Sequence, residues 1–404
     1  MLTDEQLYAW WRLRHLKGVG NIAINELLSR LSHPADLLSA SADDLIAYGI
    51  APALAHQWLT DASALYSGRS STDSSDLALN PAHGFAALQA WRAHAEHPDQ
   101  GVLFVGDPNY PPALASLRDA PTFLWYRGQL ECLNKPMLAM VGSRGATPAA
   151  LEWTRQQACL LAEAGVTVVS GLALGVDGAA HQGALMNPNV SAATIAVMGT
   201  GADIIYPSRH RPLGDEIAQR GLLLTEFSPG TGAQSRHFPS RNRIISGLCQ
   251  ATLIVEANLR SGTMITARMA ADQGRDVLVL PGAVANPLAR GPHQLIREGA
   301  TLVENASDIL EVMQTAPMPQ STHVQGIAKP KAEIPTQLAI ETTATEPATT
   351  EPPQLVSMID FHVTPVDVIA LRSGQAIASL LPALLQLELD GWIEQAPGGY
   401  CRKR

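Results

Sequence analysis

From Met137 onward, short β-branched runs at 138–141, 166–170, 194–197, 222–225, 252–256 and 277–280 alternate with stretches long enough for helices. That alternation restricts the fold sharply. Strands separated by helices pair in parallel, and the helices cover both faces of the sheet. Ligands of such doubly wound sheets sit at the carboxyl ends of the strands, where helix N-termini converge. The residues that follow each strand are therefore where chemistry is sought.

A chain of 404 residues exceeds what one hydrophobic core usually serves. Residues 1–80 read as a helical domain, with apolar positions at helical spacing in Leu7, Trp10, Trp11 and Leu13 and again in Ile24, Leu27, Leu28 and Leu31. Between these runs lies Leu16-Lys17-Gly18-Val19-Gly20-Asn21. A helix-hairpin-helix phosphate binder has this pattern, and so does any tight interhelical turn; packing is the expected role. Residues 67–76, rich in Ser, Gly and Asp, read as a loop. Prolines and a Thr/Ala/Glu-rich run make 315–351 a flexible linker. Beyond it, 352–404 shows three short helical patterns and two glycine-marked strands, a winged-helix candidate. Its would-be recognition helix, 375–390, carries no Lys or Arg, so protein contact is expected there rather than groove reading.

The N-terminus has no basic, apolar leader, and no run is long enough for a membrane span, so a cytoplasmic protein is expected. Cys132, Cys159, Cys249 and Cys401 are scattered, which suggests free thiols rather than disulfides or a zinc site. A net charge of −9 argues against broad coating of duplex DNA. The window 236–298 runs the other way: Arg236, Arg241, Arg243, Arg260, Arg268, Arg275, Arg290 and Arg297 outnumber Glu256, Asp272, Asp276 and Glu298.

The first strand ends in Gly142-Ser143-Arg144, an outline of a phosphate cradle: close backbone approach, a hydroxyl and a guanidinium fork. Neither G-x-G-x-x-G nor G-x-x-x-x-G-K-[ST] spacing occurs there or at Gly199-Thr200-Gly201, so dinucleotide and triphosphate chemistry lose support and no cofactor is expected. After the second strand, Gly171 and Gly175 would let a ligand approach the backbone. Asp177 and His181 follow one helical turn apart. That pair suits acid–base chemistry, but a structural hydrogen bond is the expectation. After the fourth strand, Phe238-Pro239-Ser240-Arg241-Asn242-Arg243 places charge at a helix start; the alternative for Arg241 is a salt bridge to Glu256. Ser261-Gly262-Thr263 opens a further helix as a second anion nest. Several anion sites along one sheet edge suit a chain of phosphates better than a single one.

Together these residues resemble the DNA-processing protein A family (DprA, also called Smf) over nearly the whole chain. The resemblance rests on Val141-Gly142-Ser143-Arg144, Ser170-Gly171-Leu172-Ala173 with Gly175, Asp177 and His181, Phe238-Pro239-x-Arg241-Asn242-Arg243-Ile244, Ser261-Gly262-Thr263, Gly274-Arg275, Pro281-Gly282 and Leu295-Ile296-x-x-Gly299-Ala300. Asp107-x-x-Tyr110-Pro111 and Pro121-x-x-Leu124-x-x-x-Gly128 match the family's approach to the first strand. The resemblance implies an extended Rossmann-like domain at 81–314, a sterile-alpha-motif-like N-terminus and a winged-helix tail. It also implies single-stranded DNA binding, a homodimer and loading of the RecA recombinase in natural transformation, without catalysis. Carried over, the DNA-contacting set is Gly142, Ser143, Arg144, Gly171, Phe238, Arg241, Asn242, Arg243, Ser261, Gly262 and Thr263, with Arg144 and Arg241 at its centre and a base stacked on Phe238. Departures fall at His293 and Ser240. The rival reading is an enzyme, since the fold also resembles nucleoside-monophosphate phosphoribohydrolases; this chain has Thr266 where their catalytic Glu would stand.

Overall fold

A computed structural model describes residues 99–315 and 354–403, apart from 362 and 397, and ahead of them residues 11, 20–28, 40–47, 50, 52, 55–56, 88–89 and 91. Most of the 16–21 turn, the 67–76 loop and the linker beyond 315 lie outside the described residues.

The described residues form two units. In the first, a nine-stranded sheet runs in the order β1-β2-β6-β5-β4-β3-β7-β8-β9. Its strands are β1 (Gln100–Phe104), β2 (Phe123–Gly128), β3 (Met137–Val141), β4 (Thr167–Ser170), β5 (Thr194–Val197), β6 (Leu222–Thr225), β7 (Ala251–Ile254), β8 (Asp276–Val279) and β9 (Thr301–Leu302). Pairing is parallel from β6 across to β9, whereas β1 and β2 add an antiparallel margin beside β6. The expected doubly wound, mostly parallel sheet is thus present, and β1, β2 and β9 extend it. Residues 100–128 give no clean alternation because β2 opens with the continuous buried run Phe123-Leu124-Trp125. With only two residues, both exposed, β9 is too short to carry a period.

Helices α1 (Asn21–Leu28), α2 (Ala42–Ala47) and α3 (Pro112–Ala115) precede the parallel region. The crossovers are α4 (Pro148–Glu163), α5 (Val176–Ala184), α6 (Arg211–Arg220), α7 (His237–Leu248), α8 (Gly262–Asp272) and α9 (Arg290–Arg297), and α10 (Ala306–Thr315) follows β9. Period-2 alternation divides β3 between two cores. Leu138 and Met140 pack with Leu161, Val176 and Ile309 on one face, while Ala139 and Val141 pack with Ile244, Leu248 and Met264 on the other. At the antiparallel margin, Trp11 and Trp91 meet Trp125 edge-on, each with ring centroids 6.3 Å apart.

The second unit contains a helical turn at Val356–Met358, α11 (Val366–Ser373), α12 (Ile377–Leu389) and a hairpin of β10 (Ile393–Ala396) with β11 (Gly399–Arg402). This is the winged-helix arrangement. Gly374 stops α11 in the left-handed conformation, φ 68°. Ile359, Ile369, Leu380, Leu384, Ile393 and Tyr400 form its core. Arg372 closes it by donating to the buried Asp360 carboxylate at 2.8 Å. On α12 the exposed side chains include Ile377, Leu381 and Leu385, an apolar stripe where a groove reader would carry cations.

Candidate nucleic-acid interface

Strand β3 is followed by α4 on one face of the sheet, and its neighbour β7 by α8 on the other. Between them the chain opens a crevice, as the topology of such sheets requires. A cleft of about 700 Å³ lies there, lined by Gly142, Ser143, Arg144, Phe238, Arg241, Asn242, Ser261, Gly262 and Thr263 among others. Nine of the eleven residues singled out in the sequence therefore meet in one cavity; Gly171 and Arg243 do not line it.

Local packing explains how β3 delivers its loop. A Cβ on Gly142 would run into the Val176 side chain, so glycine lets the strand end press against the start of α5. The loop is then pinned by Ser143 N–H donating to Glu256 O at 2.7 Å and by Val176 N–H donating to Ser143 O at 3.2 Å. Arg144 projects outward, exposed, with its guanidinium carbon 5.9 Å from the Phe238 ring centroid. Across the cleft Ser261 stands at the N-cap position of α8 without a side-chain cap bond, and its Oγ is buried without a hydrogen-bond partner among the described residues. A hydroxyl donor without an acceptor, beside the free N–H groups of a helix start, is a ready anion ligand.

Arg241 behaves differently from the expectation of a phosphate-gripping side chain at a helix start. It lies in the second turn of α7 and is only 5% exposed. Its Nη1 donates to Gly171 O and Val197 O, the carbonyls at the ends of β4 and β5, and its Nε donates to Asn242 Oδ1 at 2.9 Å. A side chain on residue 171 would occupy the guanidinium's place, so Gly171 admits Arg241 rather than a ligand. The carboxylate partner is Asp177, 3.8 Å from Nη2, and not Glu256, which accepts from Asn286 at 2.7 Å. Burial presses against charge on both partners, lowering the guanidinium's pKa and raising the carboxyl's, while their mutual attraction opposes both shifts.

Arg243 turns away from the cleft. It pairs with Glu226 at 2.5 Å and Asp119 at 3.4 Å and donates to Asp119 O at 2.7 Å, bracing the end of β6 against the loop before β2. Ser240 and His293 also lie off the cleft lining, bonded to His237 O and Gly282 O respectively.

Asp177 and His181 do not bond to each other. Asp177 accepts from the N–H groups of Gly171 (3.2 Å) and Ala173 (3.4 Å). His181 Nδ1 lies 2.7 Å from Thr194 Oγ1, whose proton goes to Val168 O at 2.7 Å. Nδ1 must therefore be the donor, leaving a neutral ring with Nε2 bare and buried. Burial holds its pKa at about 3, with the positive fields of His210 and Arg241 adding to the shift. Because this folded value lies below the unfolded one near 6.5, the unfolded chain takes the proton first: the contribution is complete above pH 6.5 and shrinks as pH falls toward 3. The drop in unfolding free energy between pH 7 and pH 5 is expected to be about 2 kcal/mol larger in the wild type than in His181→Gln. Urea titrations at the two pH values check this, and equal drops would refute it.

Thr266, at the position compared with a catalytic Glu, is buried and donates to Gly262 O at 3.2 Å. Several cleft residues escaped the sequence reading, among them Ser235, Asn258 and Tyr206. Tyr206-Pro207 follows Gly199-Thr200-Gly201 in the longer connection between β5 and α6, where an aromatic beside proline was the only available sign.

An extended, mostly parallel α/β sheet with a cleft at its switch point, joined in sequence to a winged helix, defines the class as a Rossmann-like α/β protein with a winged-helix tail. The chain belongs to the family described as DNA recombination-mediator protein A, whose profile matches residues 101–314, more than half of it. The profile of the DprA winged helix domain matches residues 339–399. Protein Smf of Escherichia coli is 39% identical over 312 residues, covering 76% of this chain and 79% of that protein. DNA processing protein DprA of Streptococcus pneumoniae is 43% identical over 204 residues, covering 50% of this chain and 71% of that protein. The X-ray structure of DprA from that organism superposes with a TM-score of 0.59 at 32% identity, covering 77% of this chain and 98% of that one. Among the described residues no helix is long and apolar enough to cross a membrane.

Proposed function

We propose that this protein binds single-stranded DNA in the cleft between β3 and β7, as a binding protein rather than an enzyme. The observation that carries this reading is the convergence of exposed Arg144 with the partnerless Ser261 hydroxyl and the α8 start on one open crevice. Those groups suit phosphate oxygens, and the aromatic side chains beside them suit bases. The absence of a carboxylate at position 266 speaks against the phosphoribohydrolase reading. Protection of incoming strands, RecA loading in natural transformation, a homodimer and a cytoplasmic location belong to the same proposal, drawn from family membership. The uncharged α12 stripe favours a protein partner for the tail.

Electrophoretic shifts of a labelled oligothymidylate by the full chain, repeated between 50 and 200 mM salt, test the proposal. Binding that weakens steeply with salt is the expected result. Failure to shift the oligonucleotide at low salt would overturn it, as would release of free adenine from AMP by the purified protein.

A further inference from the structure

The motif around Phe238 points to that ring as the surface on which a base stacks, yet the ring is already flanked. Arg144 stands 5.9 Å from its centroid, the Tyr206 ring stands 5.6 Å away at an interplanar angle of 43°, and a Cβ on Gly199 would come within 3.1 Å of it. Tyr206 is the open member of this row. Its side chain lines the same cleft and is 49% exposed, the one aromatic among the exposed large hydrophobics of the described residues. We propose that Tyr206 is the base-stacking platform of the cleft, with Phe238 as its buttress and Arg144 kept for phosphate. This rests on the single-stranded DNA reading above.

A stacked base contributes through its π face irrespective of sequence, and truncating a stacking aromatic costs about 5- to 100-fold in affinity. Stacking uses the ring and not the hydroxyl, so phenylalanine should serve equally at position 206.

The test measures affinities of the full chain, by fluorescence anisotropy, for an oligothymidylate and for an abasic strand of the same length. Tyr206→Ala is expected to weaken oligothymidylate binding about 5- to 100-fold, to leave abasic binding within about twofold, and to match Tyr206→Phe only on the abasic strand. Tyr206→Leu, which keeps apolar bulk against Phe238, should show the same loss on oligothymidylate. It stands in should the alanine variant fail to fold. Equal losses on both strands, or oligothymidylate binding by both Tyr206→Ala and Tyr206→Leu within twofold of wild type, would overturn the stacking role. In that last case, if Arg144→Ala still loses binding, the cleft reading survives without Tyr206. If Arg144→Ala also binds normally, the cleft reading itself falls.

Discussion

Arg241→Ala is expected to lower the unfolding free energy by about 3–5 kcal/mol. The substitution strands Asp177, only 6% exposed, without its counter-charge, and it orphans the carbonyls of Gly171 and Val197 at the ends of two central strands. Urea unfolding with an unchanged m-value measures the loss directly. Replacing both partners, as Arg241→Met with Asp177→Asn, should recover part of it, because the uncompensated charge is then removed with its partner. A midpoint equivalent to within about 0.5 kcal/mol of wild type, a change typical of surface positions, would contradict this account of Arg241. The experiment also decides how Arg241 serves DNA. If the variant loses oligonucleotide binding at full stability, the guanidinium touches the ligand; if both fall together, it acts by holding the ends of β4 and β5 in place.

Arg144→Ala should behave in the opposite way. The side chain is exposed and its one described contact is the Phe238 ring, so stability is expected to stay within about 0.5 kcal/mol. Removing a charge-assisted hydrogen bond to phosphate, about 1.5–3 kcal/mol, corresponds to affinity for single strands falling about 10- to 100-fold. The slope of log affinity against log salt should also shrink by about 0.7, the value for one phosphate that the protein no longer neutralises. Arg144→Lys retains a charge but not the bidentate fork, so it should keep the salt slope while recovering only part of the affinity. A weakened affinity with an unchanged salt slope would show that Arg144 does not meet phosphate.

These two arginines mark how far the sequence could be read. Arg144 follows a short apolar strand and a glycine, and its outward position depends only on that local pattern. The inward turn of Arg241 depends on Gly171, seventy positions away in the chain, and on Asp177; neither relation leaves a periodic trace. Arg243 sits two residues further on, in the same apparent helix start, and is drawn off by Glu226 and Asp119, which the sheet margin brings near it. The same limit applies to the strands. Those from β3 to β7 announce themselves as buried, mostly aliphatic runs between helices, because parallel strands covered on both faces are apolar along most of their length. Strands β1 and β2 place Phe104, Phe123 and Trp125 in one cluster with Trp11 and Trp91, so their pattern reflects tertiary packing that sequence periodicity does not encode.

The tryptophan cluster at β2 has an optical consequence. Trp11, Trp91 and Trp125 share one edge of the sheet, and no tryptophan among the described residues lines the cleft. Tryptophan emission from that cluster is therefore a gauge of whether the N-terminal segments stay seated on the sheet, and it is blind to a strand lying in the crevice. With a labelled oligonucleotide reporting ligand occupancy, attachment of the leading segments can thus be followed in the same sample as a separate signal.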